Sequence, residues 1–185
     1  AHYRVHNMVK ELNRIYLSHP ALWALDSQPA GFRWLDADDN TGNVLSYLRF
    51  AQPDEDGDVV ATVVNYGGED KEWVRLGVPR PGRWEVLLDT SGFDELSSPS
   101  QAGTVLKAEA TPWHDQQHSV TVRVARLATL YLAPVPLEPP FTCLLASGGH
   151  TLVLSVRDRS GFDVLGDPVR LRQILDMNKV ADAAS

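Results

Sequence analysis

From Tyr3 to Leu17 the apolar side chains fall at Val5, Met8, Val9, Leu12, Ile15 and Tyr16, the three-and-four spacing that gathers a stripe along one helical face. The spacing predicts an α-helix. Pro20 interrupts it, and Ala21-Leu22-Trp23-Ala24-Leu25 is expected to form a further short turn before Pro29-Ala30-Gly31 breaks the pattern. After Asn40-Thr41-Gly42 the chain changes to short β-favouring runs: Val44–Phe50, Val59–Asn65, Lys71–Leu76, Arg83–Leu88, Thr104–Ala108, Ser119–Val124 and Ala128–Leu132. Trp84, Val86 and Leu88 share one face of such a run and Arg83, Glu85 and Leu87 the other, so one side meets a core. Asp54-Glu55-Asp56-Gly57-Asp58 and Tyr66-Gly67-Gly68 resemble hairpin loops, and Arg80-Pro81-Gly82 fits a type II turn in which Gly82 supplies the positive φ. The predicted fold is all-β, an antiparallel β-sandwich preceded by a helical segment.

Pro134, Pro136, Pro139 and Pro140 crowd a stretch that can sustain neither a sheet ladder nor a helix, and they read as a boundary or extended linker. Beyond it Thr151–Arg157 is expected to be one more strand and Val169–Met177 a short helix. The chain carries no internal repeat.

Composition narrows the functional classes. Of 185 residues, 43% are hydrophobic and 22% charged, ordinary values for a globular protein with a core of its own. A net charge of −7, with no long Lys/Arg run, argues against nucleic acid as a partner. The single cysteine, Cys143, has no partner within the chain for a disulfide, which favours a reducing, cytoplasmic setting. No apolar run approaches the roughly 20 residues that span a bilayer, and Ala1–Lys10 lacks the apolar stretch of a signal peptide, so no membrane association is expected.

Between Leu12 and Arg49 the chain reads L-N-R-I-Y, H-P-A-L-W, G-F-R-W-L-D-A-D-D and N-V-L-S-Y-L-R. Their order and spacing resemble the junction between the catalytic barrel and the C-terminal domain of bacterial glycogen (1,4-α-glucan) branching enzymes, of the α-amylase superfamily. The resemblance continues through Val64-Asn65-Tyr66, Leu76-Gly77-Val78-Pro79, Pro81-Gly82-Arg83-Trp84-Glu85 and Leu127-Ala128-Thr129-Leu130-Tyr131-Leu132. It implies an α-amylase-type C-terminal β domain at 41–135, preceded at 1–40 by the end of the catalytic barrel and the junction. Residues 136–185 form a tail outside the family pattern, part of it open to disorder.

This sequence departs from that pattern in places. Leu88-Asp89-Thr90-Ser91-Gly92-Phe93-Asp94-Glu95 stands where the family carries Asn-Thr-Asp and a Tyr-Gly-Gly-rich loop, and Ala125-Arg126-Leu127 stands for Pro-Pro-Leu. In the tail, Gly166–Leu175 resembles the start of a helix beside the ATP lid of sensor histidine kinases. The Asn-x-x-Asn-Ala-x-Lys continuation is missing, since Asp176-Met177-Asn178-Lys179-Val180-Ala181 follows, and no ATP site is expected.

The resemblance implies an enzyme that cuts an α-1,4 bond, holds a covalent glycosyl intermediate and passes it to a 6-hydroxyl. That chemistry needs two carboxyls about 5 to 5.5 Å apart. In the family they sit at the ends of barrel strands, upstream of this chain, so no catalytic residue is carried over and the isolated chain is expected to be inactive. The chain's own residues offer no substitute. Asp36, Asp38 and Asp39 read as a turn bonding its own backbone. Asp54–Asp58 resembles a calcium loop, but the positions that need Gly and Glu hold Val59 and Asn65. His2/His6 and His114/His118 have the spacing of zinc pairs without the intervening Glu and read as exposed histidines. No nucleophile elbow occurs, and Cys143 has only distant histidines in sequence. Neither metal nor other cofactor is expected.

Indole rings stack on the apolar faces of glucose units, so the tryptophans are weighed separately. Trp34, at the implied junction, admits two readings: substrate contact with an α-glucan such as glycogen, or packing between domains. Trp23, Trp73 and Trp84 read as structural, and Trp113 stays open between the two. The expected partners are an α-glucan and the catalytic barrel. Three alternatives remain: a free-standing glucan-binding module, a purely structural fragment with no ligand, and a fragment of another α-amylase-superfamily enzyme, such as a debranching or maltosyl-transferring one.

Overall fold

Val59-Val60-Ala61-Thr62-Val63-Val64-Asn65 is apolar on both faces, and as strand β3 (Val59–Asn65) it is buried on both. A strand so enclosed belongs at the centre of layers. In the computed structural model, which describes residues 2–53, 57–94, 99–136, 141–147, 150–158 and 161–164, β3 lies inside a six-stranded antiparallel sheet. The sheet runs β1 (Phe32–Asp39), β2 (Val44–Phe50), β3, β8 (Thr129–Pro134), β5 (Arg83–Asp89), β6 (Val105–Lys107). A second sheet pairs β4 (Lys71–Val78) with β7 (His118–Val124), also antiparallel. Leu48, Phe50, Val63, Trp84 and Leu132 from the first sheet and Leu76, Val78, Val120, Val122 and Val124 from the second form the core between them. The predicted antiparallel sandwich is the observed fold.

The helix α1 (His2–Ser18) precedes it, followed by 3₁₀ turns at Pro20–Leu22 and Pro29–Gly31. Contacts with β5, with the first of these turns and with a 3₁₀ turn at Thr90–Phe93 hold α1 to the sandwich. Only part of the apolar stripe is used: Ile15 is fully buried and Met8 and Leu12 partly, whereas Val5, Val9 and Tyr16 face solvent.

The Pro-Gly-x-Trp turn has a clear physical basis. Gly82 takes φ +97°, as predicted, and the indole of the fully buried Trp84 donates Nε1–H to the Arg80 carbonyl at 3.1 Å. That bond satisfies the ring's polar atom inside an apolar core.

Some expectations are corrected. Strand β1 is not among the predicted strands: it pairs with β2 through an irregular register and buries no residue fully, so no alternation of apolar and polar positions marks it. Tyr66-Gly67-Gly68 is not a hairpin loop, because β3 and β4 lie in different sheets and the segment carries the chain across. Asn65 holds that crossover: its buried Nδ2 is shared among the carbonyls of Glu69, Val124 and Ala125, and its Oδ1 accepts from Gly67 N. Pro134 lies within β8 and pairs with Trp84, at the strand's end where a missing N–H costs least.

The chain divides into two compact units, Ala1–Val135 and Pro136–Ser185. The second contains a three-stranded antiparallel sheet of β9 (Phe141–Ser147), β10 (His150–Asp158) and β11 (Gly161–Val164). Its β10 covers the strand expected at Thr151–Arg157. The helix expected at Val169–Met177, the Gly166–Leu175 motif and the Asp54-Glu55-Asp56 loop tip lie outside the described residues, as do the side chains of His2 and Cys143.

Candidate functional site

Arg49, in the Tyr-Leu-Arg end of β2, organises the junction motifs. Its guanidinium donates to the Gly31 carbonyl at 3.1 Å and the Leu22 carbonyl at 3.4 Å, and pairs with the Asp26 carboxylate. Gly31 is required there: a Cβ would sit 2.4 Å from the Leu25 carbonyl oxygen. These contacts fix where β1 starts and therefore where Phe32 and Trp34 project.

Residues 32 and 34 share a strand face, and Tyr47 is the register partner of Trp34 across the β1–β2 ladder. The three rings form a cluster. Phe32 and Trp34 meet edge-on at 4.9 Å, Trp34 and Tyr47 edge-on at 5.9 Å, and Phe32 and Tyr47 lie stacked at 5.2 Å. Such pairs hold their rings without solvent-excluded burial, and Trp34 keeps 53% of its surface exposed. Tyr47 also lines a groove of about 250 Å³ with Leu12 and Tyr16 of α1, Leu22, Arg49 and Tyr131. Burial pushes the Tyr131 phenol above its ordinary value, with Tyr47 adding to the shift and Arg49 opposing it. At neutral pH it is a neutral hydroxyl, able to donate and accept.

The remaining tryptophans divide differently from expectation. Trp84 is structural, as predicted. Trp73 is not buried: it is 85% exposed on β4, because Val74, Leu76 and Val78 turn to the core and the alternation of the strand sets Trp73 on the opposite face. Trp113 is half-exposed at the base of a two-residue hairpin whose central residues, His114 and Asp115, both have positive φ, 49° and 59°. Trp23 is also partly exposed.

His114 and His118 are partly buried, not exposed as predicted, and the hairpin separates them, so no helix face brings them together. Burial pushes the His114 imidazole below its ordinary value, opposed by the charges of Asp36 and Asp115. Asp36 and Asp39 bond their own backbone as expected, accepting from Asp38 N and Gly42 N, although they belong to β1. Asp58, where the predicted hairpin loop enters β3, is tied to the helix terminus: its carboxylate lies 3.1 Å from His19 Nδ1 and accepts from Ala21 N at 3.0 Å. Among the described residues no cluster of three or more His, Cys, Asp or Glu is placed to hold a metal, and no helix is long and apolar enough to cross a membrane.

Residues 34–135 match the family model described as "Alpha amylase, C-terminal all-beta domain". The chain is 38% identical over 133 residues to the 1,4-alpha-glucan branching enzyme GlgB of Mycobacterium sp. (strain KMS), covering 72% of this chain and 17% of that protein. It is 38% identical over 132 residues to the GlgB of Mycobacterium tuberculosis (strain ATCC 25618 / H37Rv), covering 70% of this chain and 17% of that protein. The chain thus spans about a sixth of the length of these relatives, 17% in each case.

Proposed function

The chain belongs to the family of α-amylase C-terminal all-β domains, and from that premise we propose that it is the C-terminal part of a 1,4-α-glucan branching enzyme, which moves an α-1,4-glucan segment onto a 6-hydroxyl. The observation that carries this is the 38% identity to proteins named as branching enzymes over 133 residues, 72% of this chain. In this reading the paired carboxylates of the retaining reaction lie outside the chain, which is inactive alone. Its setting is cytoplasmic.

The role left to these residues is to hold and to bind. The solvent-facing wing of α1, Val5, Val9 and Tyr16, is the surface that meets the catalytic barrel, which makes α1 part of that domain's end and leaves the sandwich, with β1 as its edge strand, as the C-terminal domain proper. Trp34, kept half-exposed by Phe32 and Tyr47, contacts the glucan. Tyr131 and Arg49 supply polar groups in the groove they share with its neighbour Tyr47.

The test pairs the chain with the enzyme it would complete. Residues 1–185 incubated with amylose are expected to form no α-1,6 linkages, while the protein encoded by the whole gene forms them readily; linkage formation by residues 1–185 alone overturns the assignment. In the active protein Trp34→Ala is expected to weaken maltoheptaose binding about tenfold, roughly 1.4 kcal/mol. An unchanged isotherm removes Trp34 from the site.

A further inference from the structure

The second tryptophan pair lies away from Trp34. Trp73 projects outward from β4, on the strand face opposite the core-facing Val74 and Leu76. Trp113 is set beside the same strand by close backbone packing: a Cβ on Gly77 would lie 2.1 Å from the Trp113 carbonyl oxygen. Two hydrogen bonds, Trp113 N to Gln116 O at 3.0 Å and Gln116 N to Trp113 O at 2.9 Å, close the hairpin that carries it. Left-handed backbone is strained at residues other than glycine, and the two-residue turn with positive φ at both centres is normally built with Asn or Gly. His114 and Asp115 keep that conformation here, tied down by Gly77 N, which donates to His114 Nδ1 at 3.4 Å.

Between the two indoles runs a groove of about 440 Å³, within the size range of small-molecule sites. Asp36 and Asp39 of β1 and Lys71, Glu72 and Arg75 of β4 line it along with the rings, and no residue of α1 does. Charged groups of both signs between exposed rings are unlike the centre of a protein interface, which is depleted of charge. They suit a ligand that alternates apolar C–H faces with hydroxyls that both donate and accept.

We infer that the groove between Trp73 and Trp113 is a second carbohydrate site of this chain, taking an unbranched α-1,4-glucan chain whose rings stack on the two indoles while its hydroxyls bond the carboxylates of Asp36 and Glu72. This deepens the glucan reading above and rests on it for the choice of sugar. The groove lies on the β4 side of the sandwich, so a long polymer held there leaves the Trp34 face free for a second segment of the same chain.

The experiment is titration of residues 1–185 with maltoheptaose by calorimetry, with cellohexaose as the β-linked control, on the wild type, Trp34→Ala, and the double variant Trp73→Ala/Trp113→Ala. Thermal unfolding of each checks the fold. Trp73→Tyr alone, which keeps an aromatic face, is the conservative companion. The expected result is saturable maltoheptaose binding at two sites, of which Trp34→Ala weakens one and leaves the other, while the double variant weakens that other at least tenfold, Trp73→Tyr largely retains it, and cellohexaose binds at neither. Binding unchanged in the folded double variant overturns the groove and leaves the branching assignment standing, since that is judged by linkage formation in the whole protein. Equal binding of cellohexaose, or no maltoheptaose binding by the wild type, also overturns it. If the double variant is unfolded, protection of Trp73 from N-bromosuccinimide oxidation by maltoheptaose in the wild type decides the same question: protection supports the groove and its absence overturns it.

Discussion

Single residues in this domain are chosen by what their backbone must approach. Gly77 is the clearest case, because the Trp113 carbonyl occupies the space a side chain would fill. Gly77→Ala is expected to push the hairpin off β4 and to destabilise the domain by about 1 to 3 kcal/mol, the usual range for overpacking a well-filled site. Urea unfolding measures the loss, and a change in Trp113 fluorescence reports the displacement; an unaltered midpoint would mean the hairpin has slack the contact distance denies. Gly77 is legible in the sequence only as part of a Leu-Gly-Val-Pro fragment. Nothing in the one-dimensional pattern says that a loop about 36 residues later, by count of positions 77 and 113, lies against it. Trp73 is the opposite case: Val74 and Leu76 alternate with Trp73 and Arg75 in the sequence, so period two already sets its ring on the face away from the core, and the expectation of a structural role followed from its strand context alone.

At the scale of elements, short β-favouring runs located β2 to β8, while β1 escaped because its partner and not its composition makes it a strand. The junction motifs likewise acquire a physical meaning once paired. His19 and Ala21, from His-Pro-Ala-Leu-Trp, meet Asp58 at the entry to β3, so the charged loop and the helix terminus form one anchor for α1. Burial pushes the Asp58 carboxyl up, but the bonds from His19 and the Ala21 N–H, with the His19 and Arg80 charges, outweigh it and hold the group below its ordinary value. A carboxyl whose pKa falls on folding adds stability that is complete above its unfolded value, about 3.9, and is lost as pH drops through the lower folded value. Asp58→Asn is therefore expected to cost about 1 to 2 kcal/mol at neutral pH and to flatten the acid side of the stability profile below about pH 4. Parallel loss of stability in wild type and variant between about pH 5 and 2 would show that Asp58 contributes nothing to the acid transition.

For the whole molecule, the deciding feature is a helix that spends only half of its apolar stripe on the sandwich. Ile15, Met8 and Leu12 turn inward, while Val5, Val9 and Tyr16 of the same helix remain in water, Tyr16 on the groove it shares with Tyr47 of the ring cluster. An apolar surface of this kind drives association when it has no partner. The chain alone is expected to self-associate with rising concentration in sedimentation velocity. Val9→Lys/Tyr16→Lys should suppress that while leaving the unfolding midpoint nearly unchanged, because neither side chain contributes to the core between the sheets. In the complete protein the same pair of lysines should do the opposite, lowering thermal stability, since there they place two charges in the interface proposed with the barrel. If the lysine variant instead destabilised residues 1–185 by itself, the outer half of the stripe would belong to this domain's own packing, and the helix would no longer point to a missing neighbour.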